Sequence, residues 1–389
     1  MDQPITIAAA YEVPPGRYPD LDSLGMMREL LKGVMRNWPI GPKDVDGLLT
    51  SPAGGSSGGI DIYIHDKLIS ELGIRPTFAE TVNLGGATFA AMVHRAAMAI
   101  RDGRANAVLC MGAGKFMKPS AGGGEMMARM ISDRDLEVPY GTFVPAMYAL
   151  IASQFMAERN VKPEDLARVA VSARKWAVLN PNARMHSQGP ITVEEVLGSR
   201  MICAPFHLLD CSVPSDGGGA VLVTRADLGH KWTKQPAYVK GFAEYHPRGT
   251  ISDIGNPIET GATVCGPEAF RRAGLKPSDI DVAQLYDAFS STPLILLENL
   301  GFCAPGTSAA FARSGAMDPG GKLPVNTYGG LMSYGHTGDS SGMSLVVEGA
   351  KQTMGTAGPN QVPNVRNSLI HVYGGMMFDH ATLILGREP

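Results

Sequence analysis

The chain has 389 residues, of which 44% are hydrophobic and 18% are charged, and its formal net charge is -3. This length is sufficient for a large buried core, either in two domains or in one duplicated domain. The small net charge and the lack of a basic run argue against nucleic acid as a partner. We see no secretory signal and no apolar run near the roughly 20 residues of a membrane-spanning helix, so we expect a soluble, cytoplasmic protein.

The cysteines are scattered, odd in number and without a CxxC pair. This spacing argues against a disulfide framework and against a structural zinc site, and it fits a reducing compartment. We therefore expect no metal site. The five cysteines are Cys110, Cys203, Cys211, Cys265 and Cys303.

Strand-like and helical segments alternate along the first hundred residues. "ITIAAAYEV" begins as a strand, "SLGMMRELLKGVMRNW" has helical apolar spacing, and "VDGLLTSP" returns to a strand and turn. "ATFAAMVHRAAMAIRDG" is a helix that Gly103 ends, and "NAVLCMGAG" is an apolar strand. This alternation predicts an α/β fold with mostly parallel sheets covered by helices.

A region from about residue 115 to residue 200 differs from this pattern. Its segments "PAMYALIASQFMAERN" and "KPEDLARVAVSARKWAVLN" predict two helices, the second capped at its start by the KPED segment. The methionine-rich "EMMARMISDRDLEVPYG" precedes them and is either a lid or packing. Methionine-rich stretches are more often gap-filling core, because the thioether is flexible and apolar. We interpret the region as an insertion.

The second half of the chain echoes the first. "IGPKDVDGLLTS" (40–51) matches "LKPSDIDVAQLYD" (275–287), and "NAVLCMGAG" (106–114) matches "NSLIHVYGG" (367–375) in the same order. Two ordered matches predict an internal duplication of an α/β unit. The predicted halves are residues 1–235, which include the insertion, and residues 236–389.

Four glycine-associated segments are candidates for chemistry, and two of them are "LYDAFSSTP" (285–293) and "HVYGGMMFDH" (371–380). The other two are glycine-rich turns. "VNLGGATF" (82–89) leads a strand into a helix, where an N-terminus favours developing negative charge, yet the turn offers no cysteine or serine. In "GGLMSYGHTGDSSG" (329–342), small residues surround His336 and permit close approach of a ligand. A histidine there can act as an acid, a base or a hydrogen-bond donor. The alternative is a turn whose imidazole caps a backbone group.

These segments resemble the thiolase superfamily. "GGLMSYGHTGDSSG" is similar to its GG…GHPxGASG block, and "YDAF" is similar to its NEAF block in the sterol-carrier-protein and lipid-transfer branch. "KWAVLNPNARM", "SRMICAPFHLLDCSVPSDGGGAVLV" and "HVYGGMMFDHATLIL" follow in the order of that branch. The resemblance covers nearly the whole chain. It implies the five-layered α/β/α/β/α thiolase fold with two related halves, a homodimer and CoA-thioester substrates.

The chain departs from the family at the catalytic positions. Gly86 stands where thiolases carry the nucleophilic cysteine, His371 aligns with their second cysteine, and Tyr286 replaces the asparagine of NEAF. Only the histidine of the GHP block remains, as His336. Without a thiolate the usual acyl-enzyme cannot form, and the Thr88 hydroxyl is a poor substitute. We interpret Cys110, Cys203 and Cys211 as buried and inert.

The resemblance to nucleophile-lacking steroid side-chain aldolases of this branch implies a retro-aldol cleavage of a bulky β-hydroxyacyl-CoA. We predict that Tyr286 and Tyr334 transfer protons and that His336 polarises the thioester carbonyl. His371 is an alternative acid or base, and Asp287 orients a neighbour. The predicted substrate pocket consists of Gly86, which leaves room for a bulky acyl group, together with Thr88, Tyr373 and Gly375.

Two other functions remain open. One is an atypical thiolase or acyltransferase that uses a different nucleophile, and the other is a catalytically silent subunit that binds lipid or acyl-CoA. The sequence assigns no CoA-binding residues, and we expect no cofactor apart from the CoA of the substrate. The resemblance also implies a small OB-fold protein with a zinc ribbon as a candidate partner.

Overall fold

The fold is a mixed α/β arrangement in the computed structural model, which describes residues 3–54, 60–115, 123–253 and 255–389. Residues 116–122 of the predicted insertion lie outside this description. The strands within it are β1 (Ile5–Gly16), β2 (Gly47–Thr50), β3 (Ala53–Gly54), β4 (Ile60–Asp61), β5 (Phe78–Thr81), β6 (Ala107–Gly114), β7 (Met201–Cys203), β8 (Phe206–His207), β9 (Asp216–Arg225), β10 (Ala237–Tyr245), β11 (Val282–Leu285), β12 (Asn367–Gly374) and β13 (Asp379–Gly386).

The helices surround these strands and also form most of the insertion. The α-helices of the described residues are α1 (Ser23–Asn37), α2 (Ile64–Leu72), α3 (Thr88–Arg101), α4 (Gly123–Met130), α5 (Val144–Arg159), α6 (Pro163–Leu179), α7 (Val193–Gly198), α8 (Ala226–Gly229), α9 (Ala262–Ala273), α10 (Ser291–Asn299), α11 (Ser308–Arg313) and α12 (Ser341–Met354). A single π-helical turn spans Gly330–Tyr334. No helix in the described ranges has both the length and the apolar composition to cross a bilayer.

The sheet consists of two series of strands with the same topology. The first runs β5-β2-β6-β9-β1, with β2 parallel to β5 and β6 and with β9 antiparallel to β6 and β1. The second runs β11-β12-β13-β10, with β11 parallel to β12 and with β13 antiparallel to β12 and β10. They meet where Thr6 and Ile7 of β1 pair with β10. The predicted duplication is therefore confirmed. The prediction of mostly parallel sheets is wrong, because three of the eight strand pairs that the described residues form in this sheet are parallel and five are antiparallel. The predicted boundary at 235 and 236 lies between α8 and β10.

An aspartate at the same place in each half explains why the sequences of the two halves match there. Asp46, just before β2, accepts hydrogen bonds of 2.8 Å from the backbone N–H groups of Asn106 and Ala107 at the start of β6. Asp281, just before β11, accepts from residues 366 and 367 at the start of β12. In each half a carboxylate thus fixes one parallel strand beside the next. The aspartate two positions earlier in each motif caps the short 3₁₀ turn that precedes the strand.

Two helices form the middle layer of the fold. α3 packs against β6 and β9 of the first series and against β12 and β13 of the second, and α12 likewise contacts strands of both series. α1 and α2 cover the outer face of the first series, and α9 covers the outer face of the second. The result is the expected five-layered α/β/α/β/α order.

The middle layer brings two helix N-termini into contact. A Cβ atom at Gly342, in the first turn of α12, would lie 2.0 Å from the carbonyl oxygen of Gly86, just before α3. Only glycine permits this approach, because a Cβ contact under 3 Å is a steric clash. Two of the four glycine-associated candidate segments, 82–89 and 329–342, are therefore adjacent in space, and the site lies between them.

Candidate active site

The turn before α3 is closed by its own threonine. The hydroxyl of Thr88 donates to the carbonyl of Gly85 at 2.6 Å and accepts from the backbone N–H of Leu84 at 2.8 Å. Gly85 itself has a φ of 55°, a conformation that glycine adopts without strain. The Thr88 side chain is fully buried, so its hydroxyl is part of the turn rather than an exposed nucleophile.

A tyrosine ring occupies the space beside Gly86. A Cβ atom built on Gly86 would lie 2.6 Å from Cε2 of Tyr286 and 2.4 Å from the carbonyl oxygen of Tyr373. Any side chain at Gly86 would overlap with these atoms, because real Cβ contacts are not this short. The room that the missing side chain leaves is thus filled from within the protein, by the aromatic ring of Tyr286.

Tyr286 and His336, two of the predicted catalytic residues, are brought together. The Tyr286 hydroxyl lies 3.2 Å from Nε2 of His336, and the two rings meet edge to face at 84°. The Gly338 backbone N–H donates to Nδ1 of His336 at 3.2 Å, and burial lowers the pKa of His336 to about 4. The imidazole is therefore neutral near pH 7, with its proton on Nε2. We infer that Nε2–H donates to the Tyr286 oxygen and stabilises negative charge there.

The loop around His336 is attached to the first series of strands. Its backbone N–H donates to the carbonyl of Val213 at 2.7 Å, and its carbonyl accepts from Ser215 at 2.8 Å, immediately before β9. Thr337 presses so closely on the end of β6 that a Cβ at Gly114 would lie 1.7 Å from the Thr337 carbonyl oxygen. His336 is thus held by the first half of the chain while its ring faces Tyr286 of the second.

Asp287 lies beneath the site and holds the π-helical turn. One carboxylate oxygen accepts from the backbone N–H of Leu331 at 2.8 Å, and the other has no hydrogen-bond partner among the described residues. Complete burial raises the pKa of Asp287 to about 8. The space beside it admits only glycine, since a Cβ at Gly330 would lie 2.1 Å from the carboxylate. These contacts agree with an orienting role for Asp287, which stays a prediction.

The hydroxyl of Tyr334 has a carboxylate as its hydrogen-bond partner. Its hydroxyl donates to Glu12 of β1 at 2.9 Å, and its ring packs edge-on against Tyr328. Burial, and secondly the negative charge of Glu12, raise the pKa of Tyr334 well above its ordinary value. The structure therefore joins Tyr334 to a carboxylate that the sequence analysis did not identify, and it does not join the Tyr334 hydroxyl to His336. The proton-transfer role of Tyr334 stays a prediction.

His371 belongs to a buried chain of hydrogen bonds. Its Nδ1 lies 2.8 Å from the Thr382 hydroxyl, and its Nε2 lies 3.1 Å from Nδ1 of His380, which in turn contacts the Met377 carbonyl. Burial, and secondly the neighbouring His380, lower the pKa of His371 well below its ordinary value. Both ring nitrogens are thus engaged away from Tyr286 and His336, on the side of β12 that faces α9.

An aromatic cluster extends from the site into the insertion. The Tyr373 ring lies 4.8 Å from that of Tyr286, and Tyr148 of α5 packs 4.7 Å from Phe289. The Tyr148 hydroxyl donates to the carbonyl of Gly375 at 2.9 Å. The predicted pocket residues Tyr373 and Gly375 therefore meet the insertion through Tyr148. The sequence around Tyr148 predicts only a helix, so it does not point to a residue of the site.

Burial makes four of the five cysteines poor substitutes for the missing nucleophile. Burial raises the pKa of Cys211 and of Cys265 to about 12, and that of Cys303 to about 11. Cys110 is fully buried, and burial raises its pKa further still. These four thiols stay protonated near neutral pH, and a protonated thiol is a poor nucleophile. This result supports the interpretation of Cys110 and Cys211 as inert. The prediction that Cys203 and Cys211 are buried is wrong, because both are half-buried.

The contact between Gly86 and Tyr286 predicts the effect of adding a single methyl group. We expect Gly86→Ala to lower the free energy of unfolding by about 1–3 kcal/mol, because the methyl overpacks the ring and the Tyr373 carbonyl. The cost should shrink in a Tyr286→Ala background, where the ring is absent. Denaturant titrations of the wild type, Gly86→Ala, Tyr286→Ala and the double variant give these free energies of unfolding. Gly198→Ala is the control, since a Cβ there meets no atom within 4 Å; equal effects at both glycines would contradict the contact.

Comparison with known proteins agrees with this architecture. The family described as "Thiolase C-terminal domain-like" matches residues 243–387. The solved structure of an "Ltp2-ChsH2(DUF35) aldolase" superposes with a TM-score of 0.85 at 29% identity, covering 99% of this chain and 98% of that one.

Two curated relatives share most of their length with the chain. A "Steroid side-chain-cleaving aldolase" from Thermomonospora curvata is 36% identical, over 89% of this chain and 88% of the relative. A "17-hydroxy-3-oxo-4-pregnene-20-carboxyl-CoA lyase" from Mycobacterium tuberculosis is 31% identical, over 93% of this chain and 94% of the relative. The chain therefore belongs to the thiolase superfamily, in the thiolase-like branch that includes the steroid side-chain-cleaving aldolases.

Proposed function

We propose that the protein cleaves a carbon–carbon bond of a bulky β-hydroxyacyl-CoA by a retro-aldol reaction without a covalent intermediate. The observation that carries this proposal is the position of Tyr286, whose ring lies against Gly86 and whose hydroxyl lies 3.2 Å from Nε2 of His336. A hydrogen-bonded tyrosine and histidine therefore lie beside the glycine that, by the sequence resemblance, replaces the family's nucleophilic cysteine. We assign the proton transfer to this pair. The names of the two curated relatives, an aldolase and a CoA lyase, support the same reaction class.

The chemistry needs a base, an electron sink and an acid. Tyr286, as the phenolate, takes the proton of the β-hydroxyl group; the Cα–Cβ bond then breaks, and its electrons move into the thioester to give an enolate. The N-terminus of α3 stabilises the negative charge on the enolate oxygen. Once Tyr286 has taken up the proton, its oxygen is no longer charged, and the Nε2–H of His336 turns from that oxygen to the enolate oxygen. The α-carbon then takes up a proton from a second acid, for which Tyr334 is the sequence-based candidate.

The alternatives receive less support. An acyltransferase of the usual kind needs a thiolate, and the thiols of Cys110, Cys211, Cys265 and Cys303 are held in the protonated form by burial. A silent acyl-CoA-binding subunit has no need of a neutral histidine aimed at a phenol. All five cysteines are free, which supports the proposal of a reducing, cytoplasmic location.

Replacement of the central phenol tests the proposed reaction. With a β-hydroxyacyl-CoA bearing a branched or polycyclic acyl group, we expect the wild type to release a ketone or aldehyde and the shortened acyl-CoA. Tyr286→Phe should lower kcat by about 10²–10⁴, since proton transfer contributes about that much. Chromatography of the CoA products measures both. Tyr238→Phe, a buried tyrosine at the junction of β1 and β10, is the control; full activity of Tyr286→Phe would refute the assignment.

We further propose that the protein assembles with a DUF35 partner and forms a homodimer. The solved aldolase relative carries a DUF35 component in its name, and its chain matches this one over nearly its full length. The insertion carries an exposed apolar surface, and a surface of this kind marks a site of protein–protein interaction. This apolar surface consists of Met126, Met130, Leu136, Tyr140 and Leu150, each at least half exposed. Tyr148, on the opposite face of α5, connects this surface to the site.

Charge placed on the apolar surface tests the docking of the partner. We expect Leu136→Asp combined with Tyr140→Asp to abolish co-purification of a co-expressed DUF35 protein, because the charges would lose their hydration at the interface. The dimer of this chain should persist in light scattering. Met35→Asp, at an exposed methionine on α1, is the control. Loss of the dimer with retention of the DUF35 partner would instead assign this surface to a second copy of the chain and overturn the proposal.

A further inference from the structure

We propose that Glu12 is the positioning residue of His336, because its carboxylate holds both flanks of the loop that carries the histidine. This loop, residues 335–340, connects the π-helical turn to α12. Tyr334 is the last residue before it, and Ser344 lies in the first turn of α12 after it. The Tyr334 hydroxyl donates to Oε2 of Glu12 at 2.9 Å, and the Ser344 hydroxyl donates to Oε1. A single side chain therefore connects the two ends of the loop.

Glu12 is a suitable anchor because its own backbone is fixed. It lies within β1 and pairs with Gly219 of β9, in the middle of the sheet. The loop backbone is attached to the same half of the chain through Val213 and Ser215. These attachments set where the His336 ring lies relative to Tyr286, which belongs to the second half. We call the two hydrogen bonds from Tyr334 and Ser344 to Glu12 the clamp. A displacement of a catalytic group by about 1 Å can lower the rate by about 10²-fold, so the clamp affects the rate of the proposed reaction.

The clamp requires an ionised carboxylate. Two carboxylate oxygens accept from both hydroxyls at once, whereas an amide or a protonated acid offers one good acceptor and one donor. The charged and titratable groups that act on Glu12 include Lys351 and Glu348 of α12, together with Tyr334 and Tyr328. Burial is the largest influence and raises the pKa of Glu12 above its ordinary value. As the pH falls, kcat should therefore begin to decline at a higher pH than the protonation of an ordinary glutamate would give. This decline should be absent in Glu12→Gln.

The chain offers a matched control in Glu348. This second buried carboxyl group accepts from the Thr327 hydroxyl at 2.5 Å and from Nε2 of Gln352 at 2.9 Å. It lies on α12, and burial raises its pKa as it does for Glu12. Glu348→Gln thus makes the same chemical change at a similar depth while leaving both flanks of the His336 loop attached.

Kinetics provide the first test, and this arm rests on the proposed function. We expect Glu12→Gln to lower kcat by about 10–100-fold with KM within about threefold of the wild type. Glu348→Gln should leave kcat within about threefold. Glu12→Asp keeps the charge but has a side chain one methylene shorter, so it should also lower kcat. If Glu12→Gln fails to fold, Glu12→Asp replaces it in this test. Equal kcat values for the Glu12 and Glu348 variants would overturn the proposal.

Hydrogen exchange provides the second test and does not depend on any activity. We expect the amides of residues 335–344 to exchange at least about tenfold faster in Glu12→Gln than in the wild type, with Glu348→Gln unchanged, because local opening follows the loss of tertiary contacts. If this result appears while the wild type cleaves no carbon–carbon bond of a β-hydroxyacyl-CoA, the proposed function fails and the clamp stands. Unchanged exchange in Glu12→Gln would refute the clamp regardless of activity.

Discussion

The close contact between the Tyr286 ring and the backbone of Gly86 determines what this site can do. A nucleophilic thiol at the N-terminus of α3 would need the volume that the ring occupies. The ring in turn is packed against Tyr373 and held by the hydrogen bond with His336. By the sequence resemblance, Gly86 takes the place of the family's cysteine and Tyr286 that of its asparagine. The contact makes these two replacements one coupled change, since any side chain at Gly86 would overlap with the ring.

This coupled change alters the chemistry that the fold can supply. A thiolase uses the helix N-terminus to favour a thiolate, whereas here the same position faces a phenol that receives a hydrogen bond from a neutral imidazole. Burial keeps His336 uncharged, so its Nε2–H can donate without carrying a positive charge into the site. The residues that remain favour proton transfer and stabilisation of an enolate, and they disfavour storage of an acyl group.

Much of the fold follows from the sequence, because its signals are local or repeated. The duplicated Asp-apolar-Asp motif predicts the two halves, and the structure shows why: Asp46 and Asp281 each fix a neighbouring parallel strand. Gly86 and His336 stand out because glycine-rich turns are recognisable without long-range information. Their adjacency, through Gly342, depends on the packing of two helices far apart in sequence.

The remaining site features depend on contacts between distant segments. Glu12 lies in an ordinary strand pattern, and only the fold brings it to Tyr334 and Ser344. The direction of the Tyr334 side chain follows from that contact and not from its place two residues before His336. His371 likewise finds its partner, His380, on the neighbouring strand β13. Sequence patterns identify candidate residues of this kind, but they do not specify which hydrogen-bond partner each one takes.

Intact-protein mass spectrometry during turnover tests the absence of a covalent step most directly. The protein is mixed with a β-hydroxyacyl-CoA, quenched in acid within the first turnovers and weighed, while the CoA products are quantified from the same sample. The proton-transfer account predicts an unmodified protein mass alongside released ketone or aldehyde. A protein population heavier by the mass of the acyl group, formed and lost at the rate of turnover, would contradict it.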